Sequence, residues 1–267
     1  MSFDLWWLAY IFLGLFAGLL AGMLGIGGGA VMVPLLAMIF SAQAFPHEQV
    51  IHLALGTSMA IIIFTASSSL RAHHQHGAVL WDTLLAFTPG VLVGTALGTL
   101  VAARIPTRGL AIFFAVFIAC VAVQMALNLK PKPHRELPGK AGLGMAGGVI
   151  GMLSALVAIG GGSLTVPYLS WCNVPVHRAI GTSAALGLPI AFFGTIGYIW
   201  NGWGNPALPA FSLGYVYLPA VAWVMAGSVV AAPFGARLAH RLPVATLKRA
   251  FAGILVLLAA KMLHGVM

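Results

Sequence analysis

Ile26-Gly27-Gly28-Gly29-Ala30-Val31-Met32-Val33-Pro34 returns as Ile159-Gly160-Gly161-Gly162-Ser163-Leu164-Thr165-Val166-Pro167, with six of nine positions identical at an offset of 133 residues. Each copy interrupts a long apolar run. Glycine costs a helix roughly 1 kcal/mol relative to alanine, so three in succession mark a break. It also frees the backbone to turn and lets another group approach closely. Inside a bilayer such a break survives only where its N–H and C=O groups face protein or a polar cavity. A helix restarting after the turn aims N–H groups, with positive dipole character, at whatever occupies that space. Two such turns predict a shared anion site near the membrane midplane.

Composition supports a membrane setting. Of 267 residues, 61% are hydrophobic and only 6% charged, against about 25% charged in ordinary soluble domains. The net charge of +9 comes from Lys and Arg at the ends of apolar runs, which fits membrane orientation and not nucleic acid. Cys120 and Cys172 are isolated, without a C-x-x-C pair, and are expected to be small buried side chains. The N-terminus lacks a basic n-region and reads as the start of the first membrane helix, not a removable signal.

Apolar runs cover residues 5–25, 30–44, 50–70, 79–103 and 109–129, then 141–159, 163–172, 179–200, 209–236 and 250–263. Connectors are expected at Phe45–Gln49, at Arg71–Gly77, at Arg104–Arg108 and around Trp203. The duplication extends beyond glycine. His52-Leu53-Ala54-Leu55-Gly56-Thr57-Ser58 answers to His177-Arg178-Ala179-Ile180-Gly181-Thr182-Ser183, and Gly98–Pro106 to Gly235–Pro243.

The predicted fold is an all-α polytopic membrane protein of two inverted repeats. Each repeat is a glycine-broken helical hairpin plus three membrane-spanning helices, about 8–10 helical segments in all. Residues 1–129 and 141–267 form the repeats, and 130–140 a cytoplasmic linker. If each broken pair returns to its starting side, ten of the 13 Lys and Arg residues collect on one face. If each broken pair spans once, they divide seven to six. The positive-inside rule prefers the first arrangement, with both termini outside the cell's inner membrane. Whether the short segments 30–44 and 163–172 cross fully is left open.

The paired Gly-Gly-Gly…Val-Pro turns, the Gly-Thr-Ser that follows each, and the basic-Pro turn before each last helix resemble the TauE/SafE family of sulfite and organosulfonate permeases. The likeness covers essentially the whole chain. It implies secondary transport of a small anion, a sulfur oxyanion or organosulfonate, coupled to H+ or Na+.

Candidate binding residues are the backbones of Gly27, Gly28, Gly29, Gly160, Gly161 and Gly162, joined by Ser163. Their N–H groups replace hydration water without placing a full charge in lipid; close helix packing is the plainer explanation. Thr57, Ser58, Thr182 and Ser183 offer neutral hydroxyls, or merely back-bond to helix carbonyls. His52 and His177 are candidates for proton coupling or gating, and Arg178 for attracting the anion or anchoring topology. Trp6, Trp7, Trp81, Trp200 and Trp203 are expected at the interfaces.

Two alternatives belong to other chemistries. His73, His74 and His76 on a connector suggest a divalent-metal permease, but Asp82 is the one nearby carboxylate. An intramembrane hydrolase pairing Ser58 or Ser183 with a histidine lacks a G-x-S-x-G elbow and an H-E-x-x-H motif. No Walker loop is present. The expectation is therefore a non-enzyme without metal or cofactor. Its partners are the anion, a coupling ion and the bilayer, with no nucleic acid and with self-association left open.

Overall fold

Glycine and proline cut this apolar chain into helices whose order repeats. The computed structural model describes residues 5–24, 28–127, 135–239 and 244–264, so Gly27 and part of the expected linker lie outside the described residues. The first half holds α1 (Trp6–Leu24), α2 (Gly29–Ala42), α3 (Val50–Gln75), α4 (Trp81–Arg104) and α5 (Thr107–Ala126). The second holds α6 (Lys140–Val157), α7 (Gly162–Trp171), α8 (Val176–Gly202), α9 (Leu218–Ala239) and α10 (Val244–His264). A two-stranded antiparallel hairpin, β1 (Ser212–Leu213) and β2 (Val216–Tyr217), precedes α9. Among the described residues α3, α4, α5, α6 and α8 are long and apolar enough to cross a membrane; a length of about 20 residues suffices.

Helix contacts follow the duplication. The most extensive are α1 with α9 and α4 with α6, and exchanging the halves turns one pair into the other. The next, α3 with α8, pairs a helix with its own counterpart, as does α5 with α10. Glycine makes the first two interfaces possible. A Cβ on Gly90 or Gly94 of α4 would run into the carbonyl oxygens of Gly144 and Gly148 on α6. On the other seam a Cβ on Gly14 would strike Val224 O, and one on Gly235 would strike Leu19 O. Lipid tails are as apolar as leucine, so close backbone approach, not hydrophobic exclusion, holds such helices together.

Three expectations need correction. Arg71–Gln75 is the end of α3 and not a connector. Nothing in that stretch breaks a helix until Gly77, whose φ of +62° ends it, with Ala78 N–H donating to His73 O and Gly77 N–H to His74 O. This is the Schellman pattern of a glycine-terminated helix. Residues 209–217 carry the hairpin, and α9 starts only at Leu218. Hydropathy does not separate the two, but Pro209 and Gly214 (φ +54°) disfavour a helix there. Cys120 is exposed on α5, whereas Cys172 is buried. An apolar neighbourhood in sequence does not distinguish the lipid-facing side of a helix from its core side.

The seams supply a contrast in stability. Gly94→Val should lower detergent-phase stability by about 3 kcal/mol, the upper end of usual overpacking costs, because its Cβ would stand 2.8 Å from Gly148 Cα. Gly253→Ala on α10 meets nothing within 4 Å, and should leave Tm unchanged or raise stability by up to about 1 kcal/mol. Thermal unfolding of the two variants beside the parent protein reads the difference.

Candidate functional site

The two glycine turns are built alike. Gly28 has φ +68° and Gly161 φ +76°, a region where a Cβ is strained. Each then starts a helix. Val31 and Met32 N–H donate to Gly28 O at 3.1 and 3.0 Å, and Leu164 and Thr165 N–H to Gly161 O at 3.1 and 2.8 Å. The N–H groups of the first helical residues have no carbonyl one turn earlier to receive them, and they carry the positive end of the helix dipole. α6 closes before its turn at Ala158 (φ +45°), with Ile159 N–H on Ser154 O.

Folding brings the turns together. A Cβ on Gly29 would run into the Ala158 carbonyl oxygen and stand 3.0 Å from Ile62 Cδ1. The same Ile62 side chain lies 3.3 Å from a Cβ built on Gly160. Gly187 of α8 completes the junction, since its Cβ would be 2.7 Å from Gly160 O. Ile62 of α3 therefore spans both turns, in a small apolar cluster with Ala66 and Ala191.

The duplicated hydroxyls divide into two kinds. Thr57 Oγ1 accepts from Tyr217 N–H and Thr182 Oγ1 from Leu80 N–H, each at 3.0 Å. Tyr217 directly precedes α9 and Leu80 directly precedes α4, so each threonine ties down a helix start of the other half. Ser58 and Ser183 are buried beside them, and their hydroxyls have no hydrogen-bond partner. The buried hydroxyls of Ser163 and Thr165 on α7 are also unpartnered. Sequence reasoning passed over Thr165, although it is one of three positions at which the two quoted motifs differ.

The two histidines are not equivalent. His177 and Arg178 are exposed in the first turn of α8. His52 is buried, with Nε2 3.0 Å from Ala102 O and Nδ1 3.5 Å from Thr107 Oγ1, whose hydroxyl meets Glu48 O. A carbonyl only accepts, so Nε2 carries the proton. Tyr215 stacks obliquely on the ring at 5.2 Å. His52 lines a cavity of about 490 Å³ with His47, Glu48, Arg104 and Arg108, so its charged lining is two arginines against one glutamate. The expected histidine connector assembles no site. His76 Nδ1 meets Ala72 O at 2.8 Å and His74 meets the edge of Trp81. Among the described residues no three His, Cys, Asp or Glu side chains are grouped to hold a metal.

The sequence profile of the Sulfite exporter TauE/SafE family matches residues 10–262. A Haemophilus influenzae protein named "Probable membrane transporter protein" is 36% identical over 253 residues, covering 94% of this chain and 96% of its own. Proteins with corresponding names from Methanocaldococcus jannaschii and Bacillus subtilis are 29% and 27% identical. They cover 82% and 73% of this chain, and 81% and 79% of their own lengths. No solved structure matches the chain.

The threonine acceptors can be tested apart from any ligand. Thr57→Val or Thr182→Val strands the N–H of Tyr217 or Leu80, and an unsatisfied buried donor costs about 1–3 kcal/mol. Both variants should melt below the parent, and Thr→Ser at either position should recover most of the loss.

Proposed function

The chain belongs to the Sulfite exporter TauE/SafE family of membrane transporters, and on that premise we propose that it is a secondary transporter for a small anion, a sulfur oxyanion or organosulfonate. The anion binds where the two glycine turns meet. The observation that carries this reading is the contact of Gly29 with Ala158 under the shared side chain of Ile62. It sets the N-terminus of α2 against the C-terminal end of α6, at the residue that leads into the second glycine turn.

An anion at this junction exchanges hydration water for fixed N–H and hydroxyl donors. Each hydrogen bond to a charged group contributes about 1.5–3 kcal/mol. Neutral donors bind the ion without leaving a buried charge behind when it departs, so both loaded and empty forms of the carrier are tolerated. Ser58 and Ser183, one from each half, supply further donors. A proton accompanies the anion through His52, whose second ring nitrogen faces the Thr107 hydroxyl.

We further propose that the halves are inverted repeats on either side of residues 130–140, with that linker cytoplasmic and both termini outside. The exchange symmetry of the helix contacts supports the duplication, and the uneven division of Lys and Arg that inversion produces supports the orientation. Single cysteines at Ser2 and Lys132 should label from opposite sides of sealed cells. Labelling from one side at both positions would rule out the inverted arrangement.

Function is tested on purified protein in detergent, heated with sulfite, sulfate, thiosulfate, sulfonates or carboxylates. A ligand of the folded state raises Tm by mass action. At least one sulfur anion should do so, and liposomes containing the protein should take up that anion. Gly28→Ala and Gly161→Ala separate a binding turn from a packing turn. At least one of these variants should fold, insert and lose the ligand-induced shift. Variants that melt lower but keep the whole shift would assign the glycines to packing.

A further inference from the structure

The two turns share a backbone but not their surroundings. Where the first motif has Ala30 and Met32, the second has Ser163 and Thr165. Met32 closes its own turn: its Cε stands 3.0 Å from a Cβ built on Gly28, and Met32 is fully buried. The corresponding neighbour of Gly161 is polar, with Thr165 Oγ1 at 3.4 Å. Accessibility differs in the same sense. Gly28 through Pro34 are all buried, whereas Gly160, Gly162, Ser163 and Leu164 are half-buried.

Thr165 is 0% exposed, and its hydroxyl has no partner. The usual resting place for a helical threonine hydroxyl is the carbonyl four residues earlier. Here that carbonyl is Gly161 O, which already accepts the N–H groups of Leu164 and Thr165. Both its lone pairs are taken. Ser163 Oγ, two residues before, is unpartnered as well. Buried polar groups without partners are unfavourable; of the nine such side-chain atoms among the described residues, two stand in the first turn of α7.

We propose that the second turn is the primary anion site, with Thr165 as a substrate-binding residue and a singly charged sulfonate-type headgroup as ligand. This rests on the anion-transport reading above and assigns unequal roles to the two turns. Backbone N–H groups at the start of α7 and the Thr165 hydroxyl, 3.4 Å from a Cβ built on Gly161, present several donors to a group with three oxygens. The side chains that meet the two turns from α1, α3 and α8, those of Ala21, Ile62 and Ile190, are all apolar. Neutral donors in apolar surroundings offset one negative charge far better than two. The first turn, sealed by Met32, buttresses the second through the Gly29–Ala158 contact.

The test uses the full-length protein in detergent, titrated with methanesulfonate and with sulfate, with Tm as readout. Methanesulfonate should raise the parent's Tm and sulfate should do so less. Thr165→Val removes an unpartnered hydroxyl at constant shape, so Tm without ligand should stay level or rise. Apparent affinity for methanesulfonate should fall at least about ten-fold, the loss expected for a hydrogen bond to a charged group. Thr165→Ser should keep the binding, and Met32→Leu at the first turn should not change it. If Thr165→Val melts lower and binds as the parent does, Thr165 is a packing residue and the inference fails. Stronger protection by sulfate overturns the assignment of charge. A parent protein that responds to no sulfur anion refutes the transport reading itself. A parent that responds while Thr165→Val responds equally refutes only the choice of the second turn.

Discussion

A helix that stops inside hydrocarbon leaves N–H and C=O groups that lipid has no means of satisfying. That constraint governs this architecture. Each glycine-broken hairpin is unviable alone and must be covered by protein. The halves cover each other: Ala158 lies on Gly29, while Ile62 from the first half lies on Gly160 of the second. The long helices α3 and α8 pack on each other beside the turns, α3 reaching both through Ile62 and α8 the second through Gly187 and Ile190. α1, α4, α6 and α9 form the flanking seams.

The seams use backbone against backbone where side-chain ridges would be usual. Glycines at Gly14, Gly18, Gly90 and Gly94 let carbonyl oxygens of the facing helix come within reach of the Cα line. Such surfaces bring the two helix backbones into direct contact, with no room for a larger side chain at these positions. The threonine bonds work differently. Thr57 and Thr182 reach across to the segments leading into α9 and α4, and they couple each central helix to the start of a seam helix.

Duplication creates a symmetric frame, and divergence gives each half its own task. Ile62 fills the space at the turns, while α8 presents Gly187 there. Met32 seals one turn where Thr165 leaves a hydroxyl beside the other. His52 is buried above a basic cavity while His177 faces outward. On the reading proposed above, the second turn holds the anion and the first supports it through the Gly29–Ala158 contact.

Much of this was legible in the chain itself. Scarcity of charge meant a membrane solvent, the repeated Gly-Gly-Gly…Val-Pro meant a duplicated helix break, and the family resemblance rested on those residues. Individual boundaries were less legible at Arg71–Gln75 and at residues 209–217, where apolar character persists through a change of backbone conformation. The fate of the hydroxyls was not legible at all. Whether Thr57 or Thr165 is free depends on an N–H 160 residues away in one case, and on an already saturated carbonyl in the other. Nor does sequence tell which side of an apolar helix faces lipid and which faces protein, because both are apolar in a bilayer. Composition and repetition therefore determined the kind of molecule. Only long-range packing decided that the two breaks meet, while the free Thr165 hydroxyl follows from the local geometry of the turn that starts α7.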